Sequence, residues 1–220
     1  MITNINLAVD CMGSETSLNE ILEGINESAL RNENLFFTLF GKTVDIEKVL
    51  KDISPLNIRS EVVNCDEEVL MSDRPTDAIK LKKNSSMQLS IDHVSNGKSH
   101  AVLSCGNTGA LMAISLLKLR TIANIKRPSI ASIWPNIRGE SIVLDLGANI
   151  KNDSTSLVDN AILGSALAKT LLSKDEPTIG LLNVGIEEMK GNENVQKASE
   201  VLTEMNNKKQ LNYYGFVEGA

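Results

Sequence analysis

Ile5-Asn6-Leu7-Ala8-Val9 runs directly into Asp10-Cys11-Met12-Gly13-Ser14-Glu15. It then passes into Leu18–Leu30, where Leu18, Ile21, Leu22, Ile25, Ala29 and Leu30 fall mostly three and four residues apart. A short run that is apolar on consecutive positions reads as a strand covered on both faces, and the three–four spacing reads as a helix with one apolar stripe. Strand, glycine-bearing loop, helix is therefore the unit. Further strand candidates are Leu35–Phe40, Ile58–Val63, Ala101–Ser104, Ser129–Trp134, Ile142–Leu146 and Thr178–Leu182. A second long helical pattern covers Asp153–Ser173, with Asp153 or Ser154 as its cap. Alternation at this frequency predicts a mainly parallel, doubly wound sheet with helices on both sides, in a single α/β domain over residues 1–220.

Composition narrows the function classes. The chain has 220 residues, 42% of them hydrophobic, so it can bury a core without metal or disulfide staples. Twenty-two Lys+Arg against 28 Asp+Glu leave a net charge of −6, and aromatics make up only 3%. A protein that grips nucleic-acid backbones, or stacks single-stranded bases, is not expected. Cys11, Cys65 and Cys105 are too far apart for a C-x-x-C pair, and His93 and His100 do not complete a zinc ligand set. The N-terminus lacks the pattern of a signal peptide, and the apolar stretch from Ala110 to Leu117 is too short to span a bilayer. A cytosolic enzyme or small-ligand binder remains.

In a doubly wound sheet, ligands collect at the loops leaving the carboxyl ends of the strands. Four such loops stand out: 10–15, Cys105-Gly106-Asn107-Thr108-Gly109, Gly147-Ala148-Asn149, and the stretch from Asn183 to Asn192. Glycine lets the backbone approach a ligand, and the helix that follows offers free N–H groups to an anion. Turn geometry and capping alone explain any one of these loops. Four that converge on one edge point to a shared anion site. None is a Walker A loop or a dinucleotide G-x-G-x-x-G loop. Lys80, Lys82 and Lys83 precede Asn84-Ser85-Ser86-Met87, where a serine caps the next helix. They read equally well as anion-binding charge or as an ordinary basic helix end. Cys11 and Cys105 are weighed as thiol nucleophiles, with small-residue packing favoured. Glu187 and Glu188 offer a general base or merely a charged helix start.

Together these segments resemble the bacterial acyl-ACP:phosphate acyltransferase family of phospholipid synthesis. The resemblance rests on Val9-Asp10-x-Met12-Gly13, Lys82-Lys83-x-Ser85-Ser86-Met87 and Gly106-Asn107-Thr108-Gly109-Ala110-Leu111-Met112-Ala113. It continues through Leu144-Asp145-Leu146-Gly147-Ala148-Asn149, Gly180-Leu181-Leu182-Asn183-Val184-Gly185-x-Glu187-Glu188-x-Lys190-Gly191-Asn192 and Val217-Glu218-Gly219. The order is the family's, from residue 5 to the C-terminus. Two motifs depart from it: Ser14-Glu15 follows Met12-Gly13, and Ile150-Lys151-Asn152 follows Asn149. Family members also run roughly half as long again, so the chain reads as C-terminally shortened.

The resemblance implies a three-layer α/β/α fold related to phosphate acetyltransferases and isopropylmalate-type dehydrogenases. It implies reversible transfer of a long-chain fatty acyl group from acyl carrier protein to inorganic phosphate, in a cytoplasmic homodimer peripheral to the inner face of the membrane. Neither metal nor organic cofactor is implied, and a membrane glycerol-3-phosphate acyltransferase would use the product. Lys83, Lys190 and Asn107 are expected to act in catalysis. Phosphate is expected on Ser85, Ser86, Asn107 and Thr108, with Gly13, Gly106, Gly109 and Asn183 in the binding loops. Asp10, Asp145 and Asn149 would order those loops and Asn192 would cap the last helix. The alternatives are a non-catalytic or split remnant that needs a further C-terminal segment, and more distantly a phosphate acetyltransferase using coenzyme A.

Overall fold

A computed structural model of the chain describes residues 4–53, 59–122, 125–137, 139–147, 153–185 and 190–219. The chain divides into two compact units, Met1–Arg120 and Thr121–Ala220.

The first unit is built on β1 (Ile5–Asp10), β2 (Leu35–Gly41), β3 (Ser60–Asn64) and β4 (Ala101–Ser104). These form one parallel sheet in the order β3-β2-β1-β4. The helices are α1 (Leu18–Arg31), α2 (Thr43–Leu50), α3 (Pro75–Leu81), α4 (Ser86–Ser95) and α5 (Thr108–Leu119). Successive strand residues point to opposite faces. Val9 and Cys11 therefore join Phe37 and Leu39 under α1 and α2, packing on Leu22, Ala29 and Ile46. Ala8 and Phe40 point the other way, toward Leu89 and Val94 of α4. Two covered faces explain why β1 and β2 are apolar on consecutive positions. Asp10 has the parity of Ala8, so it lies on the α4 side. α1 starts where the sequence places it because Ser17 and Glu20 form a reciprocal capping box.

The chain moves from β1 outward to β2 and β3, then returns to place β4 on the other flank of β1. The order thus reverses between β1 and β4. Outside the carboxyl ends of strands at such a reversal, the flanking loops part and leave a crevice.

The second unit contains β5 (Ala131–Asn136), β6 (Gly139–Leu144), α6 (Ser154–Leu171), β7 (Thr178–Leu182), α7 (Glu193–Asn207) and β8 (Asn212–Val217). Its core gathers Leu181, Ala198 and Phe216 with Leu157 and Val158 of α6. β7 and β8 pair in parallel, whereas β5 and β6 form an antiparallel hairpin. The two strands expected over Ser129–Trp134 and Ile142–Leu146 are thus partners in a hairpin and are shifted in their bounds. Asp153 is the cap of α6, accepting from the Ser156 N–H at 2.8 Å. Ile58, the expected start of β3, lies outside the described residues.

Candidate functional site

The last residues of β1 and β4, Asp10 and Ser104, are register partners at the reversal point. Asp10 is almost fully buried. Its Oδ1 accepts from Ser86 Oγ at 2.5 Å and its Oδ2 from Ser104 Oγ at 2.8 Å. Ser104 Oγ in turn accepts the Gly106 N–H at 3.1 Å. One carboxylate therefore ties the end of β1, the first turn of α4 and the loop that opens α5. Burial pushes the Asp10 carboxyl above its ordinary range, against the pull of the two serine hydroxyls and the Met12 N–H; the charge of Glu68 adds to the rise.

A hydroxyl has a single proton to give. While Asp10 is ionised, Ser86 gives its proton to Asp10, and its backbone N–H goes to the Glu67 carbonyl at 3.1 Å. Ser85 Oγ caps α4 by accepting from the Gln88 N–H at 3.4 Å, and both serines are fully buried. The Ser86 hydroxyl proton is thus committed to Asp10, while Ser85 Oγ serves the cap as an acceptor.

The N-terminus of α5 is arranged differently. Asn107 caps it, its Oδ1 accepting from the Ala110 N–H at 3.0 Å. Its Nδ2 points the other way and donates to the carbonyls of Leu70, Met71 and Asp73 at 3.2, 3.1 and 2.9 Å. Asn107 thereby holds the strap of residues 70–73 against the helix. The next two residues, Thr108 and Gly109, are exposed, and their N–H groups donate to no described residue. Two open donors at the positive end of a twelve-residue helix are suited to an anion. Replacing Asn107 with Ala should raise amide exchange across residues 70–73 by about tenfold or more, through loss of the cap and three carbonyl contacts; unchanged protection would remove Asn107 from the strap.

Glycine is required at 13. Gly13 has φ +70°, and a Cβ there would lie 2.1 Å from the Val69 carbonyl oxygen. Its N–H donates to Glu68 Oε2 at 3.2 Å. Beside it an open hollow of about 240 Å³ is lined by Met12, Lys42, Asp45 and Glu68 among others. Two carboxylates against one amine make it a poor seat for phosphate.

Lys83 is exposed and pairs with no described residue, whereas Lys82 is paired with Asp73 at 2.5 Å. That amine, together with the Leu70 N–H, holds the Asp73 carboxyl below its usual range. Cys11 is buried and its thiol is pushed up to about 12 by burial and by Asp10. Cys65 is likewise pushed up to about 11. Neither offers a thiolate nucleophile. His93 Nδ1 lies 2.9 Å from Ser99 Oγ, and His100 Nδ1 accepts the Asn6 N–H at 3.0 Å, so both histidines serve structure.

In the second unit, Asn183 donates its backbone N–H to the Val217 carbonyl, and its Nδ2 donates to the carbonyls of Gly185 and Lys190 at 3.1 and 2.9 Å. Gly191, at φ +97°, passes so close that a Cβ would sit 2.5 Å from Asn183 Oδ1. Asn192 caps α7, accepting from the Val195 N–H at 3.1 Å, as its place in the sequence leads one to expect. Lys190 is exposed at the start of this turn. Asp145 follows β6 in the left-handed region, φ +64°, with its N–H shared between the Ile130 carbonyl and Ser129 Oγ. Asn149, Glu187 and Glu188 lie outside the described residues.

Ser104, Glu67 and Asp73 are site residues that the sequence reading passes over. Ser104 alone left a signal, as the polar last residue of the expected strand Ala101–Ser104.

A parallel sheet with this reversal and these loops defines an α/β protein of the phosphotransacetylase fold. A phosphotransacetylase from Streptococcus pyogenes superposes with a TM-score of 0.71 at 14% identity, covering 98% of this chain and 68% of that one. The EutD phosphotransacetylase from Staphylococcus aureus gives 0.65 at 14% identity, covering 99% and 68%. The family model of the fatty acid synthesis proteins matches residues 5–220, and the chain belongs to that family. It is 43% identical over 220 residues to a phosphate acyltransferase of Azorhizobium caulinodans, and 44% identical over 221 to one of Rhodopseudomonas palustris. In both cases it spans all of this chain but only 62% of the relative's length.

Proposed function

We propose that the chain carries the phosphate-binding part of a phosphate acyltransferase, and that the reaction is acyl transfer from acyl carrier protein to inorganic phosphate. The carrying observation is the α5 N-terminus at the β1/β4 reversal, with the Thr108 and Gly109 N–H groups open and its loop tied to buried Asp10. Phosphate is already a nucleophile, so the protein need only bind it, aim it at the thioester carbonyl and stabilise the oxyanion. A phosphate oxygen attacks the carbonyl carbon, the tetrahedral oxyanion collapses, the C–S bond breaks, and the thiolate takes up the proton released by phosphate. In this reading Thr108 and Gly109 hold the phosphate and Lys83 supplies positive charge. Asp10, Ser86 and Asn107 position the loop without touching substrate.

The same reading makes the protein a cytoplasmic homodimer at the inner face of the membrane, supplying a membrane glycerol-3-phosphate acyltransferase with acyl phosphate. Among the described residues no helix is long and apolar enough to cross a membrane. Because the chain spans 62% of its relatives' length, a second reading has the reaction completed by residues beyond this stretch. Incubating the 220-residue protein with long-chain acyl carrier protein and phosphate, with hydroxylamine as trap, separates the two. Phosphate-dependent hydroxamate is expected from an active chain. A folded sample that yields none, until a C-terminal segment of a relative is supplied, establishes the second reading.

A further inference from the structure

Residues 70–83 of the first unit have a charge opposite in sign to that of the whole chain. They hold four cations, Arg74, Lys80, Lys82 and Lys83, against Asp73 and Asp77, in a protein of net charge −6. Lys82 is neutralised by its pairing with Asp73, which leaves Arg74, Lys80 and Lys83 against Asp77 within the segment, with the Glu67 carboxylate accepting the Asn84 N–H next to Lys83. All three are exposed, and none of their side chains makes a hydrogen bond or ion pair with another described residue. Between them Leu70, Met71 and Leu81 stand 43, 47 and 75% exposed.

The fold holds this segment beside the opening of α5. The Asp73–Lys82 pair and the bond from the Leu70 N–H to Asp73 Oδ2 draw the two ends of the segment together. The Asn107 side chain then clamps the carbonyls of Leu70, Met71 and Asp73 beside the opening of α5. A segment with exposed apolar side chains and unpaired cations therefore borders the loop that ends in Thr108 and Gly109. Exposed apolar side chains beside unpaired charge suit a protein interface, and the sign of the charge selects an acidic partner.

We propose that the Leu70–Lys83 face docks a small acidic protein that carries the acyl thioester to the α5 opening. This rests on the acyl-transfer reading above. The acidic remainder of the surface repels such a partner elsewhere and favours encounter at this face, so docking should be strongly salt-dependent.

The test uses the whole 220-residue chain and the double variant Arg74→Glu/Lys80→Glu; neither residue is assigned to the chemistry. Binding of fluorescent acyl carrier protein, with its acyl arm attached through a non-transferable amide, is read by anisotropy at low salt and at about 0.5 M salt, where charge is screened within about 5 Å. Docking here predicts affinity about tenfold weaker in the double variant and a similar loss at high salt. Leu81→Ala should weaken binding a few-fold without moving the salt slope. Equal affinity for the double variant overturns the proposal, as does salt-independent binding, or capture by phosphatidylglycerol vesicles with none by the carrier. If charge reversal impairs folding, Arg74→Gln/Lys80→Gln makes the same comparison. Intact binding without hydroxamate, even when the C-terminal segment of a relative is supplied, would sink the reaction and leave the docking face standing. Hydroxamate from acyl carrier protein at wild-type rate in the double variant would sink the docking face alone, with acyl-pantetheine turnover as the carrier-free control.

Discussion

Gly13→Ala should cost about 3 kcal/mol or more of unfolding free energy, whereas Gly97→Ala should cost about 1 kcal/mol. The two positions share φ +70°, so the backbone penalty for an L-residue is the same. They differ in what a methyl would meet. At 97 there is open space within 4 Å, but at 13 the Val69 carbonyl oxygen stands 2.1 Å from the new Cβ. Val69 is buried in the cluster with Met87 and Ile91, so its backbone cannot simply step back. Urea denaturation of the two variants isolates the contact, because the common torsional term cancels in the comparison. Equal losses would show that the Gly13 loop moves away from Val69 without penalty. A larger loss at 13 would show that loop 10–15 and residues 67–69 are locked together, one on each side of the Asp10 cluster.

The strands of the first unit were legible because burial on both faces writes itself as consecutive apolar residues. Ile5–Val9 and Leu35–Phe40 each extend by only one residue in the structure, and Ala101–Ser104 is unchanged. The β5–β6 hairpin was not legible, because Pro135 and Asn136 end one strand and Gly139 begins the next without a standard two-residue turn signal. β8 was hidden for a related reason: Gly215, at φ +125°, interrupts its aromatic run. In the first unit, the glycine loops fall at the carboxyl ends of β1 and β4, where the sequence placed them, since turn chemistry is local. Which donors remain open was not readable, because that depends on pairings far apart in sequence. Ser86 meets Asp10 across 76 residues, and Ser104 meets it across 94. The same distance effect set Asn107 to clamping residues 70–73.

Asp10 should show opposite stability effects in two variants that both remove its charge. Asp10→Ala leaves the Ser86 and Ser104 hydroxyls without their acceptor, one of them fully buried, and should cost about 2–4 kcal/mol. Asp10→Asn keeps the shape and one acceptor oxygen while removing the buried charge. The sign follows from linkage. Burial raises the folded-state pKa of Asp10 above 3.8, so the folded protein holds this proton more tightly than the unfolded chain does. That contribution is fully present below the unfolded value and is lost as pH rises through the folded one. The wild type therefore gives up stability across this acidic window, and Asp10→Asn does not. Relative to wild type, the Asn variant should gain stability as pH rises from 3.8 through the raised folded-state value, a trend readable from paired urea curves. The Asn amide must also present N–H to one serine that now donates, turning that hydroxyl around. If Ser104 turns, its proton leaves the β4 end while it still accepts the Gly106 N–H, and the α5 loop loses a fixed anchor. Acyl-phosphate formation should then fall by about tenfold or more in a protein at least as stable as wild type at neutral pH, because a misplaced anion donor costs rate without costing the fold. An Asn variant with wild-type turnover would show that the carboxylate holds the fold but does not aim the phosphate; one with no pH-dependent gain would show that Asp10 ionises in the folded protein as freely as in water.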